Sequence, residues 1–181
     1  MKFSLQQIEE KSNIQSLVSN FLIRFHVGTI LRQSCIEKQD GIPATRILTE
    51  YILSVFSKES LYTKKKILPE LFEFEKDVFY RFLNSLKSNW IKFTTRLASA
   101  VINGAVTGLT SENERKVFIV DDSVFDRNRS KKVELLSKVY DHAGNMFLKG
   151  FRMLCLRWSD GRTFVPVNSV LLSSTNKKNR Y

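Results

Sequence analysis

The spacing of apolar residues changes once along the chain, and this change limits the folds that the sequence can adopt. Over residues 14–102 apolar side chains recur three and four positions apart, which predicts a succession of amphipathic helices. A polar segment rich in Gly, Ser and Thr follows over residues 104–116, and short runs of β-branched and aromatic residues come after it. The sequence therefore predicts an α+β chain, with a helical region over residues 1–110 and a strand-rich region over residues 111–181.

The strand-rich region contains one apolar run and one hairpin signal. The run Val117–Val120 is short and continuous, which predicts a strand buried on both faces with Asp121 at its end. The pair Asp160-Gly161 lies between two apolar arms and predicts a hairpin with a type I′ turn, which needs positive φ at both central residues. Pro166 cannot donate a ladder hydrogen bond, so the second arm is predicted to lie at a sheet edge.

The charge of the chain favours polyanionic partners. There are 29 Lys and Arg against 18 Asp and Glu, a formal net charge of +11, and 12 of the basic residues lie in residues 117–181. Nucleic acid is the partner that this balance favours most. The two cysteines form no disulfide framework, the N-terminus has no signal-peptide core, and no apolar run reaches the roughly 20 residues that span a bilayer. These features predict a cytoplasmic protein without a membrane partner.

Two adjacent carboxylates, Asp121 and Asp122, separate the apolar run from a cluster of cations. The carboxylates could be an ordinary strand exit, since Asp favours turns, or ligands of Mg²⁺, which prefers carboxylate oxygens. Because side chains alternate along a strand, only one of the two is expected to face a site. The cations could be a solvated loop, or they could neutralise DNA phosphates. They are Arg127, Arg129, Lys131 and Lys132.

The helical region carries local signals of its own. Gly28 is predicted to interrupt the first helix, and Pro43 to stand in the first turn of a later one. A further helix is predicted over residues 76–87, with an apolar face that includes Phe79, Phe82 and Leu86. Its other face could contact DNA, or it could simply be the solvated side of a core helix. The candidate DNA-binding residues on that face are Tyr80, Arg81, Asn84 and Lys87.

The order of these features resembles the start of a DDE insertion-sequence transposase with a ribonuclease-H-like catalytic domain. The segments that carry the resemblance are SNFLIRFHVGTILRQS, GIPATRILTEYILSVFSKESLY, KDVFYRFLNS and VFIVDDSVFDRNRSKKVELLSKVYDHAGNMFLKGFRMLCLRWSDGRTFVPV. The resemblance implies the first three antiparallel strands of that domain, with the first strand central and the third at an edge. It also implies that the first catalytic Asp ends the first strand and is followed by x-Ser. This pattern gives Asp121, with Ser123 completing it and Asp122 as the second choice.

The resemblance further implies Mg²⁺ as the cofactor and the terminal repeats of a mobile element as the DNA partner, with several copies of the chain in one transposition complex. In the family a second Asp, after a fourth strand, and a Glu on a later helix complete the site. Neither is found before Tyr181. We therefore expect an incomplete ribonuclease-H-like domain whose first strand is unpaired on one side, and a chain that does not cleave DNA alone.

Two other functions fit the same residues. One is a non-catalytic DNA-binding protein, for instance a truncated product that competes with the transposase for element ends. The other is a basic α+β interaction protein that is unrelated to mobile DNA. Equal affinity for any polyanion, heparin included, would favour the second of these.

Overall fold

A computed structural model describes residues 5–38, 40–57, 74–111, 113–131 and 133–180. In this part of the chain five α-helices precede four β-strands, which confirms the α+β prediction. The helices are α1 (Leu5–Arg24), α2 (Val27–Gln33), α3 (Ala44–Ser57), α4 (Lys76–Leu83) and α5 (Trp90–Val101). The strands are β1 (Val117–Asp126), β2 (Ser137–Asp141), β3 (Met146–Ser159) and β4 (Phe164–Leu172). None of the described helices is long and apolar enough to cross a membrane.

The described residues group into two compact units that divide between Leu97 and Ala98. The second unit therefore begins within α5 and continues through a π-helical turn, Ile102–Val106, and a 3₁₀ turn, Thr107–Leu109. This division does not test the assignment of DNA recognition to residues 1–110 and of catalysis to residues 111–181. That assignment stays a prediction.

The break between α1 and α2 lies at His26 and not at Gly28. His26 has a φ of 49°, in the left-handed region that commonly ends an α-helix. Its carbonyl oxygen accepts the amides of Thr29, at 2.9 Å, and Ile30, at 3.2 Å, so α2 starts directly after it. Gly28 is an ordinary helical residue of α2. Pro43 lies just before α3, and its carbonyl oxygen accepts the first hydrogen bonds of that helix.

The helical unit is stabilised by buried apolar side chains, of which the larger ones contribute about 1.5–3 kcal/mol each. Phe79 and Phe82 are buried, as predicted, and the ring of Trp90 packs edge-on against Phe82 at 5.4 Å. Leu86 is fully exposed, contrary to prediction, because α4 ends at Leu83. The buried apolar residues of this unit are Val18, Phe25, Val27, Ile30, Leu31, Ile36, Ala44, Ile47, Leu48, Phe74, Phe79, Phe82 and Phe93.

The sheet is antiparallel and is built around the long strand β3. Along one edge of β3, β1 pairs from Asp126 opposite Gly150 to Val117 opposite Ser159. Along the other edge, β2 pairs with residues 146–150 and β4 with residues 152–159. Within the described residues no strand pairs with the far edge of β1. In the described sheet β1 therefore lies at an edge and β3 is central, whereas the resemblance implies a central first strand.

β1 is longer and more exposed than the sequence predicts. It does not end at Asp121 but continues to Asp126, because its main chain pairs with β3 over the whole run. Phe118 is 67% exposed and Val120 is 62% exposed. The prediction of a strand buried on both faces is therefore wrong.

The hairpin between β3 and β4 is confirmed, but its predicted turn type is wrong. Ser159 pairs with Phe164, so four residues form the loop. Gly161 has a φ of 94°, whereas the φ of Asp160 is not positive, so the turn is not type I′. The carboxylate of Asp160 instead organises the loop. Its Oδ1 accepts the amides of Arg162, at 3.0 Å, and Thr163, at 2.6 Å.

The carboxylate of Asp160 also connects the loop to the segment after α5. The hydroxyl of Thr110 donates to Oδ2 of Asp160 at 2.7 Å. The hydrogen bond from Thr110, followed by that from the amide of Thr163, lowers the pKa of Asp160 from 3.8 to about 2. The charged carboxylate is thus the form that the folded loop favours.

We expect this carboxylate to make the stability of the sheet unit depend on pH in the acid range. A lowered folded-state pKa means that the unfolded chain binds more protons between about pH 2 and pH 4, so the stabilisation is complete above pH 4 and is lost as the pH falls to 2. Denaturant midpoints measured from pH 5 to pH 2 should fall more steeply for the wild type than for Thr110→Val, which removes the main cause of the shift. Equal slopes would contradict this assignment.

The prediction for Pro166 is confirmed. Pro166 lies in β4 opposite Arg157, beside a register irregularity between Leu156 and Arg157. In the part of the chain that the structure describes, β4 pairs with β3 alone, so the missing amide hydrogen costs no ladder bond. One face of this hairpin packs on the end of α5. The core there consists of Ala98, Val106, Trp158, Val165 and Val167.

Candidate functional site

The two adjacent carboxylates lie in the middle of β1 and point to opposite faces of the sheet, as alternation predicts. Asp121 is opposite Cys155, and Asp122 is opposite Leu154. We call these faces the Asp121 face and the Asp122 face. Both side chains are accessible to solvent, with 50% of the Asp121 side chain and 45% of the Asp122 side chain exposed. A single metal ion could therefore not be bound by both carboxylates.

The Asp122 carboxylate belongs to a network that connects three strands. Its Oδ2 lies 3.3 Å from Nη1 of Arg152 on β3. Nη2 of the same guanidinium donates to the carbonyl oxygen of Tyr140 on β2, at 2.6 Å. Arg152 thus links β1 and β2 across β3 on the Asp122 face. This arrangement gives Asp122 a structural partner.

The Asp121 carboxylate is held more loosely. Its nearest cation is Nη2 of Arg157, 3.9 Å from Oδ2. That guanidinium also lies over the ring of Phe164, 5.3 Å from its centroid. An exposed ion pair of this length contributes little to stability, of the order of 0–1 kcal/mol. The oxygens of Asp121 are therefore the more available of the two sets for an external ligand.

The sequence did not identify Arg152 and Arg157 as partners of the two aspartates. The sequence does place positions 152 and 157 five residues apart, so in one strand their side chains must point to opposite faces. This spacing does not say which aspartate each arginine contacts. The pairing of β1 with β3 decides that, and it connects residues that are far apart in the sequence.

Other carboxylates of the strand-rich region have structural roles. Asp141 ends β2, and its Oδ1 accepts the amide of Ala143 in the following turn, at 3.0 Å. Asp160 organises the β3–β4 loop as described above. Among the described residues, no group of three or more His, Cys, Asp or Glu side chains could hold a metal ion. The described part of the chain thus brings one available carboxylate, Asp121, to the Asp121 face.

The predicted basic cluster forms an ordered turn directly after β1. Asp126 accepts the amide of Asn128 at 2.8 Å and its side-chain nitrogen at 2.9 Å. The amide of Arg127 donates to the carbonyl oxygen of Lys149 on β3, at 2.8 Å, and the amide of Ser130 donates to Arg127 at 2.9 Å. The side chains of Arg127, Arg129 and Lys131 are exposed, whereas Lys132 lies outside the described residues.

Asp121 lies on β1, and the basic turn follows directly after the end of that strand. Arg127 is six positions after Asp121 in the sequence, which corresponds to roughly 20 Å at about 3.3 Å per residue. At 3.4 Å per step this is the length of about six base pairs of duplex DNA.

The candidate residues of α4 are exposed, but only half of them lie on the helix. Tyr80 is 59% exposed, and Nε of Arg81 donates to the carbonyl oxygen of Asp77 at 3.2 Å. Asn84 is the C-cap of α4, and Lys87 lies in the turn beyond it. The prediction of one helical face with all four residues is wrong, because α4 ends earlier than its apolar pattern suggested.

A family model described as DDE superfamily endonuclease matches residues 67–180, a range that includes α4, α5 and all four strands. No curated protein and no solved structure matches the chain.

Proposed function

The chain belongs to the DDE superfamily endonucleases, and on that premise we propose that it binds the ends of an insertion element and contributes the first metal-binding carboxylate of the transposase. Membership in this family makes DNA the substrate and gives the domain a transposase-type, ribonuclease-H-like character. One observation carries the proposal. A rigid strand presents the loosely paired carboxylate of Asp121 in its middle and an ordered basic turn at its end. Assembly of several copies on paired element ends is part of the same proposal.

Asp121 is the catalytic carboxylate in this proposal, and Asp122 has a supporting role. The guanidinium of Arg152 contacts Asp122 at 3.3 Å and is fixed by a second bond to β2. A ligand that recruited Asp122 would have to break this network. Recruiting Asp121 disturbs only its long contact with Arg157. The x-Ser pattern after Asp121 favours the same assignment.

The oxygens of Asp121 suit a divalent cation. Endonucleases of this superfamily typically use divalent metal ions, and we propose Mg²⁺ because it prefers carboxylate and phosphate oxygens. A bound Mg²⁺ would supply charge stabilisation at the reacting phosphate. Asp121 would provide one fixed oxygen ligand, and DNA phosphates would provide others. The further Asp and Glu that the family uses are not among the residues that the structure brings to the Asp121 face.

The DNA contacts in this proposal come from both units. In the sheet unit, the basic turn with Arg127, Arg129, Lys131 and Lys132 neutralises phosphates. In the helical unit, Tyr80 and Arg81 on α4 contact DNA together with Asn84 and Lys87 after it. These contacts position the duplex, and they read sequence only where a side chain reaches a base edge.

Replacing Arg127 and Arg129 by alanine tests the DNA interface. If each side chain neutralises one phosphate, the slope of log affinity against log salt concentration should become shallower by about 1.8. At 0.1 M salt this corresponds to a loss of roughly 60-fold in affinity. The double variant Lys177→Ala with Lys178→Ala removes the same charge from the 3₁₀ turn Lys177–Asn179 and should change the slope less. Fluorescence anisotropy would measure both, with the terminal repeats that flank the coding frame as the probe.

Two outcomes of this titration would contradict the proposal. An unchanged slope in the Arg127 and Arg129 variant would remove the basic turn from the interface. Equal affinity of the wild-type chain for terminal repeats, unrelated duplex and heparin would leave only a general attraction for polyanions, as in the basic interaction protein considered above.

A further inference from the structure

The hairpin formed by β2 and β3 presents aromatic and basic side chains on its outward face. We define the hairpin face as Lys138, Tyr140, Phe147 and Lys149. The register places Lys138 opposite Lys149 and Tyr140 opposite Phe147, so the four share one side of the hairpin. Val139, which points the other way, is buried, whereas Phe147 is 59% exposed. The hairpin is therefore anchored by its inner face and leaves the hairpin face accessible.

Aromatic rings and a cation are in contact on this face. The ring centroids of Tyr140 and Phe147 are 5.0 Å apart, and the ring of His142 meets Tyr140 edge-on, also at 5.0 Å. Nζ of Lys138 lies over the ring of Phe147, 4.5 Å from its centroid. A positive charge close to an accessible aromatic ring is the combination on which single-stranded nucleic acids bind, with the phosphate near the cation and the base on the ring.

The hairpin face continues into the basic turn. The amide of Arg127 donates to the carbonyl oxygen of Lys149, at 2.8 Å. The amide of Lys149 in turn donates to Oδ1 of Asn128, at 3.3 Å. These two bonds hold the basic turn against the end of the hairpin face. The exposed side chains of Arg127, Arg129 and Lys131 therefore belong to a turn that lies beside the hairpin, and their charge favours a nucleic-acid backbone.

We propose that the hairpin face binds unpaired nucleotides at the end of the DNA, with a base stacked on Phe147 and a phosphate beside Lys138. This rests on the proposed function, since it extends the same DNA interface. In a duplex, neighbouring base pairs cover the faces of the bases, so an exposed ring can stack only on an unpaired or terminal base.

The test compares two probes with the full chain, a blunt duplex and the same duplex with a short single-stranded tail that contains 2-aminopurine. Phe147→Leu keeps an apolar partner for Tyr140 but removes the aromatic ring. It should weaken binding of the tailed probe by about tenfold, the size expected for one base–aromatic stack, and leave the blunt duplex unchanged. Phe118→Leu, which changes an exposed phenylalanine on β1, should affect neither probe. Wild-type protein should quench the 2-aminopurine fluorescence of the tail.

The outcomes separate this inference from the proposed function. Equal binding of the tailed probe by wild type and Phe147→Leu would overturn the inference, as would an equal loss on both probes. In either case the salt dependence due to Arg127 and Arg129 would still support the proposed function. If Phe147→Leu unfolds the hairpin, the inference is tested by the fluorescence of the 2-aminopurine tail with wild-type protein. Fluorescence that stays unquenched at saturating protein would overturn the inference.

Discussion

Replacing Gly150 by alanine should destabilise the sheet unit by about 3 kcal/mol, because the added methyl group has no space. Gly150 lies in β3 opposite both Asp126 on β1 and Ser137 on β2. A Cβ at position 150 would collide with the main-chain carbonyl oxygen of Phe125. A flexible side chain could move aside, but main chain within a paired strand cannot move without breaking the ladder. The substitution should therefore separate β1 from β3 at this end.

Chemical denaturation followed by circular dichroism would measure this loss. Gly108→Ala is the matched control, because a Cβ at position 108 meets nothing within 4 Å. It should change the free energy of unfolding by no more than about 0.5 kcal/mol. If Gly150→Ala is as stable as Gly108→Ala, the described pairing of β1 with β3 is wrong at this point.

The same position connects the fold to the candidate site. The basic turn is attached to β3 at Lys149, one residue before Gly150. The pairing of β1 with β3 also fixes which arginine each aspartate meets. Loss of the ladder at Gly150 should therefore loosen the basic turn as well as lower stability, and weaker DNA binding by Gly150→Ala is expected to accompany the loss of folding free energy.

The sequence predicted the elements whose signals are local. The hairpin at Asp160-Gly161 and the edge position of Pro166 depend on residues close together in the chain, and both are confirmed. The turn type was wrong because the loop is organised by the carboxylate of Asp160, which Thr110, 50 residues earlier, also contacts. The break at His26 was placed two residues too late because a left-handed histidine carries a weaker signal than a glycine.

The limits of β1 could not be predicted for a similar reason. Asp is uncommon in strands, so the strand was expected to end at Asp121. Pairing with β3 nevertheless holds Asp121, Asp122 and Ser123 in the strand. β2 escaped prediction because its sequence, Ser137–Asp141, is short and mostly polar. Alternation did predict that the two aspartates face opposite ways, but their arginine partners depend on a register that connects distant residues.

Replacing Asp121 by asparagine should remove any strengthening of DNA binding by Mg²⁺. In wild-type protein a metal ion bridging Asp121 and a phosphate should raise the affinity by about tenfold, equivalent to about 1.4 kcal/mol. Without that ligand, Mg²⁺ acts only as added salt and weakens binding. Asp122→Asn makes the same change of charge one residue away, on the Asp122 face, and should retain the strengthening. Each substitution to asparagine also removes a negative charge that repels DNA. The affinities with and without Mg²⁺ must therefore be compared within each variant.

The most direct test of the account is the ratio of DNA affinities with and without Mg²⁺, measured by anisotropy on terminal-repeat DNA for wild type, Asp121→Asn and Asp122→Asn. We expect a ratio well above one for wild type and Asp122→Asn, and below one for Asp121→Asn. A ratio that stays high in Asp121→Asn, or one that is below one in wild type, would contradict the assignment of Asp121 as the metal-binding carboxylate.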